Sequence, residues 1–312
     1  MAMKKFPKIK VLGIGGAGVN AISRMVKDGI SGVELIAVNT DAQSLKMCGS
    51  PNKILIGQKT TGGLGAGMNV SLGQKAAKES YEVLKEALEG AEMVFLTCGL
   101  GGGSGTAGIS ILGEIAKDLG ALTLAVVTLP FSFEGLQRRK IARWGLKNLE
   151  NKVDSLLCIQ NDKLLTLVGQ NTTLEDAFWF CDSILREAVK GISDLVSLPG
   201  IVNIDFADLR GVLENSGRAF FGIGLAKGEK RAQVAANMAL NSPLLDFSLK
   251  DSEGILLNIA GRDDLTLQEV DSAADFVKKN SHQGAKIIFG VSEDFSLERG
   301  EIKITLITTS KT

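Results

Sequence analysis

Short, nearly continuous apolar runs alternate with helical periodicity through the first half of the chain. IKVLGI (9–14), ELIAVN (34–39), MVFLTC (93–98), ALTLAVVTL (121–129) and VDSLLCIQ (153–160) read as strands covered on both faces, as parallel strands are. Between them, KAAKESYEVLKEALEG (75–90) sets Ala77, Tyr81, Leu84 and Leu88 at helical spacing and predicts an amphipathic helix. Repeated strand–helix alternation predicts an open, doubly wound α/β sheet, mostly parallel and Rossmann-like. A longer helical pattern runs from about Leu174 to Leu195, with Phe178, Cys181, Leu185, Ala188 and Ile192 on one side, and SLPG (197–200) ends it. Beyond it, FFGIGLA, GILLNIAG, AKIIFGV and EIKITLITT predict a second α/β domain with a mixed sheet. No helical segment separates the last two, so part of that sheet is expected to be antiparallel.

Composition narrows the classes. A chain of 312 residues with 45% apolar content is long enough for about two domains with real cores. Lys+Arg and Asp+Glu balance at 35 each, which gives no basic excess for nucleic acid. The four cysteines, at 48, 98, 158 and 181, lack C-x-x-C spacing and fit buried thiols in a reducing compartment. The lysines and apolar stretch at the start imitate a signal peptide, yet the stretch is short, glycine-broken and followed by Asn20, so it reads as a first strand. No run approaches the ~18 apolar residues of a membrane span. A cytoplasmic protein without direct membrane insertion is the expectation.

Glycine carries the chemistry. GIGGAG (13–18) satisfies G-x-G-x-x-G between a strand and a helix, where helix N-terminal amides favour a phosphate. Asp41, in VNTD, lies roughly where a dinucleotide fold holds a ribose. GLGGGSGTAG (99–108) is a second junction of the same kind; it lacks the lysine-bearing P-loop pattern. Consecutive glycines there can turn several N–H groups toward one concavity, and Ser104 and Thr106 add hydroxyls. Two anion sites at strand ends suggest a ligand with several phosphates. Close helix–sheet packing is the alternative at both junctions.

GIGGAGVNAISRM, IAVNTDAQSL, GLGAG, GLGGGSGTAG, PFSFEG, QNDKLL, the helix bearing FWFCDSILR, and NIDFADLR stand in the order seen in the tubulin/FtsZ family, and the resemblance covers essentially the whole chain. It implies a GTP-binding domain (1–172), a central core helix (173–196) and a C-terminal activation and assembly domain (197–312). By motif, Gly15, Gly16, Ala17, Gly18 and Asn20 would cradle phosphates together with Gly101, Gly102, Gly103, Ser104, Gly105 and Thr106. Glu134 would meet the ribose, with Arg138 beside the nucleotide. Asn161 and Asp182 would read the guanine edge, with Phe178 against the ring. A carboxylate suits that edge, since guanine presents two adjacent N–H donors. Read without the family, Asp182 is a solvated helix face and Glu134 a helix-starting acid.

In NIDFAD, Asp205 and Asp208 share a helix face, and on sequence alone a helix cap at Asp205 with an N3 acid at Asp208 is the favoured reading. The resemblance instead implies a loop that reaches the nucleotide of the next subunit, where Asn203, Asp205 and Asp208 orient the attacking water. It further implies GTP/GDP with Mg²⁺, head-to-tail self-association, division-protein adaptors and a place in the bacterial division ring. Departures from the family pattern are Ser104 for threonine, Ala107 for glycine and Ala17 for glycine, and the two alanines put the fine loop geometry at issue. Family members carry a polar linker and a short terminal peptide toward membrane adaptors; the sequence given stops at ITTSKT. His282, in polar KKNSHQGAK, is the only histidine and reads as surface. The rival readings are an NAD-dependent oxidoreductase, resting on GIGGAG and Asp41, and a nucleotide-binding structural subunit with little turnover.

Overall fold

A computed structural model describes residues 6–30, 32–169, 171–197, 202, 204–245 and 247–310. Contacts divide the chain into two compact units, one over Pro7–Val189 and one from Lys190 onward. The division falls inside the long helix Leu174–Ser197, 24 residues and therefore about 36 Å from end to end.

In the first unit, β1 (Ile9–Ile14), β2 (Val33–Asn39), β3 (Asn52–Leu55), β4 (Met93–Gly99), β5 (Leu122–Leu129) and β6 (Ser155–Gln160) pair in the order β3-β2-β1-β4-β5-β6. All five pairings are parallel. Alternate residues such as Leu12, Ile36, Leu96 and Val127 enter one core cluster, while Val11, Phe95 and Val126 are buried as well. Both faces are thus covered, as the apolar runs predict. The strand order reverses between β1 and β4, and such a switch point opens a crevice beyond the strands' C-terminal ends.

Two local differences have simple causes. The segment 75–90 forms two helices, Val70–Glu79 and Tyr81–Leu88. Asn69 caps the first, accepting from Leu72 N at 3.0 Å. Ser80 leaves helical geometry between them, and its hydroxyl accepts from Gly57 N at 3.0 Å. The edge strand β3 (NKIL) escapes a hydrophobic reading because its first two residues are polar and exposed.

In the second unit, β7 (Gly217–Lys227), β8 (Gly254–Gly261), β9 (Lys286–Glu293) and β10 (Glu301–Ser310) run in the order β7-β10-β8-β9. The expected antiparallel pairing belongs to β10, which lies antiparallel to β7 and β8, whereas β8 and β9 are parallel. Helices Arg231–Leu240 and Leu267–Asn280 share one apolar core with this sheet. A row of alanines, Ala232, Ala235, Ala236 and Ala239, lets the first helix come very close to the strands. Gly222 and Gly224 complete the fit, because a Cβ at either would overlap a backbone carbonyl oxygen, of Ala239 or Ala235 respectively. Among the described residues, no helix is long and apolar enough to cross a membrane.

Gly224→Ala should therefore destabilise the C-terminal unit by about 3 kcal/mol, since the overlap is with backbone rather than a movable side chain. Val234→Ala, on the exposed side of the same helix, should cost under about 1 kcal/mol. Urea denaturation of both variants checks the contrast, and equal midpoints would refute it.

Candidate functional site

The glycines at the two junctions are there first because the turns touch. Gly15 opens the helix Gly15–Lys27 with φ +74°, and a Cβ on it would lie 2.9 Å from Gly105 N. A Cβ on Gly105 would lie 3.0 Å from Ile14 O, and one on Gly18 would lie 2.7 Å from Thr97 O. Packing explains most of the glycine. Gly16 and Gly102 differ: a Cβ at either meets nothing within 4 Å, and both border a cleft of about 790 Å³ beyond the ends of β1 and β4.

Two helix N-termini open onto that cleft. The helix Gly15–Lys27 starts after Ile14 and the helix Ser104–Asp118 after Gly103, and neither receives a side-chain cap. First-turn N–H groups left without a cap, with two helix dipoles behind them, favour negative charge. The packing and cradle readings thus hold at different glycines of the same loops.

The hydroxyls divide similarly. Ser104 borders the cleft and shares a 2.6 Å hydrogen bond with Thr40 Oγ1. Thr106 is fully buried, and its Oγ1 accepts from Gly101 N at 2.8 Å, fixing the loop from behind. Of the expected phosphate-binding residues, Gly15, Gly16, Ala17, Gly102, Gly103, Ser104 and Gly105 line the cleft, whereas Gly18, Asn20, Gly101 and Thr106 do not. Ala17 and Ala107 sit in helices without strain, since among the described residues the non-glycine positions with positive φ are Asn215 and Lys230.

A third wall has no role in the sequence reading. Leu64–Met68 covers the glycine loop, where Gly103 N donates to Gly67 O at 2.6 Å and Gly65 N donates to Thr40 O at 3.1 Å. GLGAG within it was legible as a motif but carried no chemistry of its own. Asp41 also borders the cleft, but its Oδ1 accepts from Gln43 N and Ser44 N as the cap of the helix Ala42–Met47. Helix capping thus occupies the oxygen that the dinucleotide reading would give to a ribose.

Glu134, Arg138, Asn161, Phe178 and Asp182 line the same cleft, with Arg138 packed against the glycine loop at Gly101. Glu134 accepts from Phe131 N at 2.8 Å through Oε1 and pairs with Arg138 through Oε2. Phe178 meets Phe131 edge-on with centroids 5.4 Å apart, leaving its ring partly exposed. Asn161 is buried and its Oδ1 has no hydrogen-bond partner. Asp182 is only 8% exposed, so the solvated-face reading fails. Burial pushes its carboxyl up to about 6, opposed by Arg24, whose Nε lies 3.0 Å from Oδ2. Arg24 was missed, because nothing local in NAISRM points to a partner 158 positions away. Cys181 borders the cleft as well, with burial pushing its thiol up to about 12, so it is not a nucleophile.

The described residues of NIDFAD, 204–208, lie in the other unit and do not line this cleft. Asn203 lies outside the described residues. Asp205 caps the helix Phe206–Leu213, its carboxylate accepting from Ala207 N at 3.2 Å. Asp208, in the first turn, is exposed, with Lys286 Nζ 3.6 Å away. His282 is exposed, as expected, its Nδ1 accepting from Gly284 N.

Gly103 has φ −78°, so a side chain there is excluded by contact rather than by backbone conformation: its Cβ would lie 2.6 Å from Gly67 O and 2.7 Å from Asn69 O. Gly103→Val should displace Leu64–Met68, lowering the melting temperature together with binding of a fluorescent GTP analogue, while Gly102→Ala, whose Cβ would enter only the cleft, should keep the melting temperature and weaken binding. Equal melting temperatures for the two variants would refute this division of roles.

Two family models match the chain: the Tubulin/FtsZ family GTPase domain over residues 8–169 and the FtsZ family C-terminal domain over residues 217–311. Among solved structures, an empty FtsZ dimer from M. jannaschii is similar at 45% identity with a TM-score of 0.95, covering 99% of this chain and 89% of that one. A W319Y mutant of the M. jannaschii FtsZ matches at 45% identity and TM-score 0.94, covering 98% and 92%. CetZ2 from Haloferax volcanii, in a GTPγS-bound protofilament, shares the fold at 22% identity and TM-score 0.81, covering 98% and 94%. The chain belongs to the tubulin/FtsZ family of cytoskeletal GTPases, with FtsZ as the branch it resembles at both its GTPase and its C-terminal domain.

Proposed function

We propose that the protein binds GTP in this cleft, assembles head to tail with copies of itself and hydrolyses GTP at the interface between subunits, as a filament of the cell-division ring. The observation that carries the reading is one cleft with two uncapped helix N-termini at one end and a buried carboxylate, Asp182, at the other. Phosphates belong at the first end and a base with paired N–H donors at the second. Glu134 and Arg138 flank the ribose, and Phe178 offers its ring to the base. The three-part division into a GTP-binding domain (1–172), a core helix (173–196) and an assembly domain (197–312) belongs to the same proposal, as do adaptor partners and a cytoplasmic location at the division site.

Hydrolysis needs positioning and charge compensation more than covalent chemistry. Asp208 is the carboxylate best suited to orient water for a neighbour's γ-phosphate, being exposed, while Asp205 fixes the start of its helix. Asn203 would assist by hydrogen bonding. Among the described residues, no cluster of three His, Cys, Asp or Glu side chains gathers to hold a metal ion, so Mg²⁺ would enter with the phosphates and offset their charge. Self-association is supported by relatives solved as a dimer and as a protofilament.

The pH dependence of binding tests the base end. Asp182 must be ionised to accept two donors, yet its carboxyl in the free protein is raised to about 6. A pKa raised by folding favours the ligand-free fold in acid, and that contribution disappears as pH rises through 6. Binding therefore runs the other way: affinity for GDP should be level above pH 7 and fall about tenfold per pH unit below 6. Asp182→Asn should weaken binding about 10- to 100-fold and flatten this profile without unfolding the protein. A wild-type profile flat between pH 5 and 8 would remove Asp182 from the site.

The shared site is tested by concentration. Phosphate release per subunit should be low below an assembly threshold and rise above it. Asp208→Ala should bind GTP and assemble, as read by light scattering, yet hydrolyse slowly, with its melting temperature little changed because its one ionic contact is exposed. Asp205→Ala should in addition lose about 1 kcal/mol of stability with the cap. Turnover per subunit that is independent of concentration would rule out catalysis between subunits.

A further inference from the structure

Two reciprocal ion pairs hold Asp182 in place. Arg24 lies in the helix Gly15–Lys27 and Asp28 caps its end; Asp182 and Arg186 lie one turn apart in the helix Leu174–Ser197. Arg24 Nε is 3.0 Å from Asp182 Oδ2, and Arg186 Nη1 is 2.7 Å from Asp28 Oδ2. Opposite signs at matched spacing keep the two helices in one register. The second pair fixes where Asp182 sits, and the first bears on its charge.

The other charged groups around Asp182 are occupied. Asp41 and Glu134 border the cleft, the first as a helix cap and the second paired with Arg138. Arg186 is taken by Asp28 and by Glu187 at 2.6 Å. Cys181, next in the same helix, stays a neutral thiol because burial holds it up at about 12. Among the described residues Asp182 Oδ1 has no partner, and Arg24 is the charge that opposes the burial raising this carboxyl to about 6.

Charge decides what such a carboxyl can bind. Ionised, it only accepts hydrogen bonds, which suits the N1–H and N2–H of guanine and repels the bare N1 of adenine. Protonated, it sets its own O–H against one guanine donor, and the same O–H suits adenine N1. One side chain thus selects guanine when charged and loses that preference when neutral.

We propose that Arg24 is a positioning residue that sets purine choice: by holding Asp182 ionised, it makes the site select guanine over adenine nucleotides. On the GTP-binding function proposed above, discrimination then depends on a residue that does not itself border the cleft.

The test is calorimetric titration of GDP and ADP from about pH 5.5 to about pH 9, with the wild type, Arg24→Met, Arg24→Lys, Asp182→Asn and the double variant Arg24→Met with Asp182→Asn. In Arg24→Met, the pH below which GDP affinity falls should rise by about one unit or more, because an opposing charge is lost. GDP affinity should then be about tenfold lower than wild type near pH 5.5 and equal to it near pH 9, with no matching loss for ADP. Arg24→Lys keeps the charge and should lie closer to wild type. Beside Asp182→Asn, Arg24→Met should change GDP affinity little, since no charge remains to hold. The wild type carries the test if Arg24→Met misfolds: its preference for GDP over ADP should fall about tenfold per pH unit below 6. A loss in Arg24→Met that is equal at every pH, a loss that persists beside Asp182→Asn, or a wild-type preference constant with pH overturns the inference. A wild type that binds no GDP at any pH removes instead the GTP-binding reading itself, so the two failures are distinguishable.

Discussion

The contact between Gly15 and Gly105 sets the geometry of the whole candidate site. β1 and β4 are neighbours because the strand order reverses between them, and each runs straight into a helix. Two helix N-termini can open onto one cleft only if the turns preceding them approach to backbone distance, and any side chain at Gly15 or Gly105 would hold them apart. The dense glycine of 99–105 is thus a steric requirement before it is a chemical one. The chemistry follows, since bringing the turns together brings two sets of uncapped amides together. Gly103 extends the arrangement to Leu64–Met68 through its bond to Gly67 O.

At the other end of the cleft the constraint is electrostatic. Burying Asp182 costs stability, which Arg24 recovers only in part, so the carboxyl stays well above its ordinary range. Folding alone gives no reason for a half-compensated buried acid; an apolar residue would pack there at lower cost. A ligand that supplies two N–H donors would complete the compensation. Arg24 lies on the helix whose N-terminus opens at Gly15, and this ion pair thereby joins Gly15 to Asp182 through one rigid element.

What sequence could reveal depended on how local the cause was. The strands were legible because burial on both faces writes itself as continuous apolar runs, and the glycine junctions because a strand–glycine–helix order has few explanations. β3 was not, since a four-residue edge strand exposes the residues that would mark it. The break at Ser80 was hidden because the apolar spacing continues across it, and its cause is a hydrogen bond from Gly57, distant in sequence. The same locality governs the site. Asp182 reads as solvated until its burial beside Arg24 is in place, and Thr106 reads as a ligand hydroxyl until Gly101 N uses it. Motif order supplied what periodicity could not, namely which polar residues from distant segments converge.

The two carboxylates of NIDFAD show why capping and chemistry need not compete. Asp205 spends its side chain on the first turn of its helix, which fixes the direction in which that helix begins. Asp208 is thereby set in the first turn, exposed, with a lysine at 3.6 Å as its ionic contact. On the function proposed above, a cap that rigidifies and an exposed acid beside it would form a positioned general base, provided something arrives for it to act on. Neither residue lines the nucleotide cleft of its own chain, which leaves a surface carboxylate held in place with no substrate from that cleft wall. In the head-to-tail filament proposed above the neighbour would supply the substrate, and hydrolysis would become a property of the contact. Assembly and turnover would then share a cause, and nucleotide state would report whether a subunit has a neighbour.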